Sequence, residues 1–267
     1  MKRKTVSTVL ALLMLLSCSL IGGCASAKSG DQLDAIRSKG KIVVAMEGVW
    51  APWTYHDETG ALVGFDTEVA KAIAEKLGVE AEFKEGDFDA LFVGFEQGVY
   101  DIIVNEVEIT EERSAMYDFT EPYAFIHTAL IVRGDNEDIK SFDDLAGRTT
   151  ANSNGSTYAQ MAEKCGATVL TVPTLEETLS MVLDGRAEAT LNADQSFYDF
   201  MDQHPEANLK IVALTEDASM VAVPIRKGED SAALNAAISK AIRELREDGT
   251  LKAISEKYLG MDITSNG

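Results

Sequence analysis

The sequence predicts an α/β fold with two doubly wound sheets, and three observations support this. Short apolar runs typical of buried strands alternate with amphipathic helical segments. This alternation occurs before about residue 124 and again after residue 128, without visible sequence repetition. Several strands also run directly into polar loops, which is where open α/β sheets bind their ligands.

The first unit begins with a brief helix ended by Gly40 and a strand at residues 41–46. Phe65 opens a helix for which Asp66 is a suitable cap, and an apolar stripe recurs at residues 69, 73 and 77. A strand starting at residue 81, a helix from residue 88 and the strand at residues 102–104 complete a parallel sheet.

The second unit repeats this logic. Strands are expected at residues 129–132, 148–151, 168–172 and 188–191, and helices at residues 158–164 and 174–184. The last strand is expected to run into a loop at residues 192–194. A further strand at 220–225 leads to a helix capped by Asp230. The apolar stripe of this helix must be buried, and we expect it to pack on the first unit. The chain would then cross between the units twice, near residues 123–128 and 217–222.

The N-terminus predicts an export signal with a lipid anchor. A basic start precedes the apolar residues 6–21, and Ile21-Gly22-Gly23-Cys24 resembles a bacterial lipobox. Residues 1–23 would be the signal peptide, and residues 24–39 the lipid anchor on Cys24 and a linker. An ordinary signal peptide with an incidental cysteine is the alternative. We expect the mature protein on the outer face of the cytoplasmic membrane.

Composition excludes several classes of function. The net charge of −20 argues against nucleic-acid binding, which needs a basic face. Once residues 1–23 are removed, the cysteines that remain are Cys24 and Cys165. If Cys24 carries lipid, Cys165 has no cysteine partner, so we expect neither a disulfide framework nor a zinc site. The three histidines are far apart, and common catalytic and nucleotide-binding motifs are missing from the sequence. We therefore expect no cofactor and no metal.

The stretch from residue 100 to residue 123 is the most informative. Its apolar strand is followed by a polar, acidic segment that delivers Arg113. An arginine fork matches a carboxylate bidentately. The alternative is that Arg113 only pairs on the surface with Glu108, Glu111 or Glu112.

Four loops follow predicted strands, at residues 47–53, 105–113, 152–157 and 192–194. They contain aromatic residues, an arginine, a Gly-Ser pair at a helix start and acids. An arginine with free helix N–H groups suits a carboxylate, and acids suit an ammonium group. A free amino acid requires this combination.

The chain resembles the family 3 solute-binding proteins of ABC transporters, the amino-acid receptors of the bacterial cell envelope. The resemblance covers essentially the whole mature sequence, and its details lean towards the receptors for cystine and polar amino acids. The motifs that carry it are Trp50-Ala51-Pro52-Trp53, Leu62-Val63-Gly64-Phe65-Asp66, Tyr100-Asp101-Ile102-Ile103, Ile109-Thr110-Glu111-Glu112-Arg113, Tyr117-Asp118-Phe119-Thr120-Glu121-Pro122-Tyr123 and Asp248-Gly249-Thr250-Leu251.

The resemblance implies a two-lobed type II periplasmic-binding-protein fold with a two-stranded hinge. It places lobe 1 at residues 40–124 and 222–267, and lobe 2 at residues 125–221. Arg113 would clamp the ligand α-carboxylate, and Glu47 lies where the family often reads the far end of the ligand. Trp50 and Phe88 would sandwich the side chain, with core packing as their alternative role. The full predicted site is Glu47, Trp50, Trp53, Phe88, Asn105, Glu106, Glu108, Arg113, Asn154, Gly155, Ser156, Thr157, Asn192 and Asp194.

Two residues depart from the family pattern. Glu108 stands where the family usually has Ser or Thr, and Ala193 stands where it usually has an ammonium-binding Asp. We consider three outcomes: Glu108 binds the ammonium, Asp194 supplies the charge, or Glu108 turns to solvent.

The expected function is capture of cystine or a polar amino acid by hinged lobe closure, and delivery to an ABC permease, by a monomer without enzymatic activity. The alternative is an enzyme similar to cyclohexadienyl dehydratases, with Glu108 as general acid. A receptor sensor domain is disfavoured because no output domain follows.

Overall fold

The computed structural model describes residues 31–265. Residues 1–30, with the predicted signal peptide and Cys24, lie outside the described part, as do residues 266 and 267. In chain order the elements are α1 (Gln32–Lys39), β1 (Lys41–Met46), β2 (Val49–Trp50), β3 (Thr54–His56), β4 (Leu62–Val63), α2 (Phe65–Leu77), β5 (Glu80–Glu85), α3 (Phe88–Glu96), β6 (Ile102–Ile103), α4 (Glu111–Met116), β7 (Tyr117–Phe119), β8 (Ala124–Ile126), β9 (Thr128–Arg133), a 3₁₀ turn (Phe142–Leu145), β10 (Thr149–Asn152), α5 (Thr157–Lys164), β11 (Thr168–Thr171), α6 (Leu175–Leu183), β12 (Ala189–Ala193), α7 (Asp194–Gln203), β13 (Leu209–Leu214), β14 (Ser219–Val221), β15 (Pro224–Arg226), α8 (Ala232–Glu247) and α9 (Thr250–Leu259).

The first sheet has the strand order β5-β1-β6 and is parallel throughout, as predicted. Helix α2 buries Val69, Ile73 and Leu77, so the predicted stripe is confirmed. The predicted cap is wrong, because Gly64 is the N-cap residue and Asp66 lies inside the first turn. There the Asp66 side chain is fully buried and bonds to other parts of the chain rather than to its own helix.

The second sheet has the order β11-β10-β12-β9-β13. Strands β10, β11 and β12 are parallel, whereas β9 runs antiparallel to both β12 and β13. This sheet is therefore mixed rather than purely parallel. The predicted loop at residues 192–194 is wrong, because β12 continues to Ala193 and α7 begins at Asp194 without a connection.

The two sheets are joined by paired strands. Strand β8 pairs with β14, and β7 pairs with β15, in both cases antiparallel. The single strand predicted at residues 220–225 is thus two short strands, each with its own partner. The crossings predicted near residues 123–128 and 217–222 contain β8 and β14. Together these elements give the two-lobed α/β architecture that the sequence predicts.

The C-terminal helices return to the first sheet. Helices α8 and α9 both pack on α2. Helix α8 buries Leu234, Ile238, Ile242 and Leu245, as its apolar stripe predicts. Its predicted cap is wrong, since Ser231 is the N-cap residue rather than Asp230. Within residues 31–265, no helix combines the length and apolar character needed to cross a bilayer.

Candidate functional site

The site is built at the carboxyl ends of β1 and β6, where Glu47 and Asn105 meet. The Asn105 side chain accepts a bond from the Glu47 backbone N–H and donates one to Glu47 Oε2, each of 2.7 Å. Both side chains are buried. Burial raises the pKa of Glu47 to about 7, although the Asn105 bond opposes this rise. The amide therefore fixes a carboxylate that ionises less readily than usual.

Glu106 has an unusual backbone and a fixed side chain. Its φ of 49° lies in the left-handed region, which is costly for a residue with a side chain. Asp66 holds this conformation by accepting a 2.6 Å bond from the Glu106 N–H, and it also accepts one of 2.9 Å from the Tyr123 hydroxyl. The Tyr158 hydroxyl donates to Glu106 Oε1 at 2.5 Å.

The second oxygen of Glu106, Oε2, is buried and has no partner within the described chain. The pKa of Glu106 is raised well above its ordinary value, chiefly by burial and further by the neighbouring carboxylates Glu108, Asp66 and Glu47. An unpaired buried carboxylate oxygen is costly, so it is a position where a ligand donor would add stability.

Arg113 lies on the short helix α4, whose N-cap residue Thr110 accepts a bond from the Arg113 N–H. Its guanidinium is buried and donates from Nη1 to the backbone oxygen of Glu108 at 3.1 Å. Nη2 is buried and has no partner among the described residues. Arg113 therefore does not pair with carboxylates on the surface, and the alternative reading of this residue is wrong.

Two aromatic rings border the guanidinium. Its central carbon lies 5.6 Å from the Phe88 ring centroid and 5.4 Å from that of Phe92. Such distances give a cation–π attraction. Phe88, which was expected to be a wall of the site, thus lies against the arginine that would hold the ligand.

Glu108 is buried, so the expectation that it could turn to solvent is wrong. Its carboxylate accepts a hydrogen bond from the Thr157 hydroxyl at the start of α5. Its backbone pairs with Val221 beside the crossing strands. Glu108 therefore links the segment after β6 to the second sheet.

The two tryptophans share one partner. The indole N–H groups of Trp50 and Trp53 donate to the Ser196 hydroxyl oxygen on α7, at 3.2 and 2.9 Å. Trp53 is only 1% exposed and packs edge-on against Phe65, whereas Trp50 lies 6.5 Å from the Tyr158 ring. Trp50 thus borders the site, while Trp53 is mainly a core residue.

The N-terminus of α5 supplies the remaining groups from the second sheet. Ser156 caps the helix by accepting from the Ala159 N–H, and its hydroxyl donates to the Ser153 oxygen. The exposed Asn154 donates to Asp89 at 3.0 Å. Gly155 has a φ of 71°, which favours glycine. A cleft of about 210 Å³ lies between this loop and Phe88.

Asn192 and Asp194 lie at the end of β12 and the start of α7. The Asn192 side chain accepts a bond from the Ala193 N–H at 3.0 Å. Asp194 accepts one from the Gln195 N–H at 3.1 Å, and burial raises the pKa of its carboxyl group. Both side chains are buried.

The structure thus brings most predicted site residues into one buried region, while Asn154 and Gly155 lie at its exposed edge. Four contributors were not predicted: Asp66, Phe92, Tyr158 and Ser196. Tyr158 belongs to a segment that the resemblance already singled out, but nothing in the sequence indicates Ser196. In residues 31–265, no three His, Cys, Asp or Glu side chains are grouped so that they could hold a metal ion.

Comparisons with known proteins place this geometry in context. A probable amino-acid ABC transporter-binding protein of Haemophilus influenzae is 39% identical over 88% of this chain and 91% of its own length. The L-cystine-binding protein TcyA of Bacillus subtilis is 34% identical over 96% and 98%. A solved ancestral arginine-binding protein bound to arginine is 36% identical, with a TM-score of 0.77 over 83% of this chain and 99% of its own.

The family model described as bacterial extracellular solute-binding proteins, family 3, matches residues 42–261. That span includes both sheets, the crossing strands and every site residue described above. The chain therefore belongs to the family 3 bacterial extracellular solute-binding proteins, which bind amino acids for ABC transporters.

Proposed function

We propose that this protein captures a free amino acid between its two lobes and delivers it to the permease of an ABC importer. The observation that carries this proposal is the buried, unpaired Nη2 of Arg113. Nη1 is already bonded to the Glu108 backbone, so the guanidinium is fixed while one donor stays free. A ligand carboxylate would satisfy that donor by a charge-assisted bond.

Access requires the lobes to separate. We assign residues 40–124 and 222–267 to lobe 1 and residues 125–221 to lobe 2. On this assignment five side-chain hydrogen bonds cross the site. They join Tyr158 to Glu106, Thr157 to Glu108, Asn154 to Asp89, and both Trp50 and Trp53 to Ser196. Rotation about the crossing strands would break these bonds and open the site. Closure over a ligand would exclude water and strengthen the bonds to its charged groups.

Cystine and polar amino acids are the first ligands to test. One relative is named for L-cystine, and one structural neighbour is bound to arginine. The lipobox at Cys24 supports anchoring to the outer face of the cytoplasmic membrane, where a monomer would meet its permease. No catalytic step is proposed, since the relatives are named as transporter-binding proteins.

The test is thermal unfolding of the purified protein against the common amino acids and cystine. A ligand at a hundred times its dissociation constant adds about 2.7 kcal/mol to the free energy of unfolding and raises the melting temperature. Turnover of prephenate or arogenate is assayed in parallel. Turnover would favour the dehydratase alternative, and stabilisation without turnover supports a receptor.

Arg113→Lys tests the carboxylate clamp. Lysine offers a point charge instead of a fork, so it cannot keep the Glu108 bond and present a fixed second donor. We expect at least about a tenfold loss of affinity, as calorimetry would measure it. Arg186→Lys, an exposed change after α6, is the matched control. Equal affinities in both variants would contradict the assignment of Arg113.

A further inference from the structure

Two ionisable side chains of the buried site each have one polar atom that the described residues leave without a partner. These atoms are Arg113 Nη2, a donor, and Glu106 Oε2, an acceptor. Both side chains are only 6% exposed, and both belong to the segment that follows β6. The two atoms do not satisfy each other, because each lacks a hydrogen-bond partner within residues 31–265. Each atom is therefore available to a partner other than the residues that the structure describes.

The backbone and the side chain of Glu106 are both fixed by hydrogen bonds, so the fold determines the position of its unpaired oxygen. Its backbone is fixed by Asp66 in the left-handed region, and its Oε1 is fixed by the Tyr158 hydroxyl. Such backbone strain persists only where the surrounding structure determines it. The result is one carboxyl oxygen held in the interior near Glu108, the residue whose backbone oxygen accepts a bond from Arg113.

Glu108 and Asp194 are less suited to bind an ammonium group. The Glu108 carboxylate accepts from Thr157, and Asp194 Oδ1 accepts from the first turn of α7. Neither residue has a buried oxygen left without a partner. Ala193 contributes only a methyl group at the end of β12. Among the acids considered, Glu106 alone combines full burial of its free oxygen with fixed geometry.

The charges of the site are unequal. Among the site residues described, five acids are buried with one cation, Arg113: they are Glu47, Asp66, Glu106, Glu108 and Asp194. A neutral amino acid brings one charge of each sign and leaves the excess of acids unchanged. Burial disfavours the charged forms of Glu47 and Glu106 and raises their pKa values. A ligand with an additional positive group would favour ionisation of these acids and form charge-assisted bonds with them.

We propose that Glu106 binds the ammonium group of the ligand, and that the site selects an amino acid of net positive charge over a neutral one of the same shape. This rests on the proposed function and names its substrate class. The carboxylate of the ligand bonds to Arg113 Nη2, the ammonium group bonds to Glu106 Oε2, and the second positive group offsets the remaining acids.

Isothermal titration calorimetry with matched ligands tests the selection. Arginine and citrulline have almost the same shape and differ in side-chain charge, and lysine and glutamine extend the series. We expect arginine or lysine to bind at least about tenfold more tightly than the neutral ligands. If neutral ligands bind as tightly as arginine and lysine, the proposed selection for positive charge is wrong, while the proposed capture of amino acids still holds. A protein that binds no amino acid at all would lose both proposals.

Glu106→Gln tests the residue. The amide oxygen can still accept from Tyr158, so the fold should persist, and the melting temperature without ligand checks this. We expect at least about a tenfold loss of affinity for the bound amino acid. Glu111→Gln, the same change at an exposed position of α4, should retain affinity. A folded Glu106→Gln variant with unchanged affinity would overturn the role of Glu106.

Discussion

Asp66 is a fully buried carboxylate that supports the site without facing a ligand. It accepts bonds from the Glu106 N–H and the Tyr123 hydroxyl, which favour its charged form. Burial outweighs both bonds and raises the pKa of Asp66 to about 7. In the unfolded chain a carboxyl of this type titrates near 3.9. Folding therefore favours the protonated acid over the interval between these two values.

We predict that this residue makes stability depend on pH. Because the folded pKa is raised, its stabilisation is fully present below pH 4 and is lost as the pH rises through about 7. The loss is at most about 4 kcal/mol. Asp66→Asn should flatten this part of the pH profile in urea unfolding, whereas Asp202→Asn at an exposed site should not. An unchanged slope in Asp66→Asn would show that other acids set it.

The sequence predicts the identity of the site residues better than their orientation. Arg113 and Glu47 follow strands and carry charge, so their place could be inferred. The left-handed conformation of Glu106 could not, because it depends on Asp66, a residue forty positions earlier in the chain. Asp66 itself resembles a helix cap, and only its tertiary bonds reveal its different role.

At the scale of elements, the helices with a regular apolar periodicity were the ones predicted correctly. Helices α2 and α8 have stripes that recur every three or four residues, and both were predicted. Helix α7 was missed because it follows β12 directly, and most of its residues are polar. Strand β13 was missed although it pairs with β9 across most of its length. Antiparallel pairing of this kind depends on a distant partner that local sequence does not show.

Helix α7 has a consequence for closure, because it carries Ser196. This hydroxyl oxygen accepts from both Trp50 and Trp53, so it links the loop after β1 to the second sheet. A single hydrogen bond contributes about 1 kcal/mol, and unpaired buried donors cost more. Removal of this hydroxyl would therefore leave both indole N–H groups without this acceptor and destabilise the closed form.

We predict that Ser196→Ala increases the dissociation rate of the ligand about tenfold while the association rate changes little, because the bonds form after the ligand enters. Stopped-flow tryptophan fluorescence measures both rates. Ser180→Ala, a half-buried change on α6, is the control. If the variant loses affinity because the association rate falls instead, Ser196 contributes before the lobes close, and the prediction is wrong.

At the scale of the whole molecule, two sheets of different topology meet at one buried site. The first is parallel and receives α8 and α9 from the C-terminus, while the second is mixed. Short strand pairs connect their backbones, so separation of the lobes disturbs few backbone hydrogen bonds. Large motion at low cost is what capture and release require.

A disulfide across the site entrance tests this motion. A Cβ atom built on Gly155 would lie 3.9 Å from the Asp89 Cβ, which is a typical separation for a disulfide. Asp89→Cys with Gly155→Cys, in a protein whose other cysteines are replaced by serine, should therefore oxidise in the closed form. The positive φ of residue 155 makes a side chain there cost of the order of 1 kcal/mol, which the fold should tolerate.

We predict that the oxidised double variant no longer binds ligand added afterwards, because the site cannot open, and that a reductant restores binding. Small-angle scattering should give the oxidised, ligand-free protein the radius of gyration of the ligand-bound protein. The Asp89→Cys variant alone controls for loss of the bond between Asp89 and Asn154. Normal binding by the oxidised variant would mean that the ligand enters without separation of the lobes, and the role assigned to the crossing strands would be wrong.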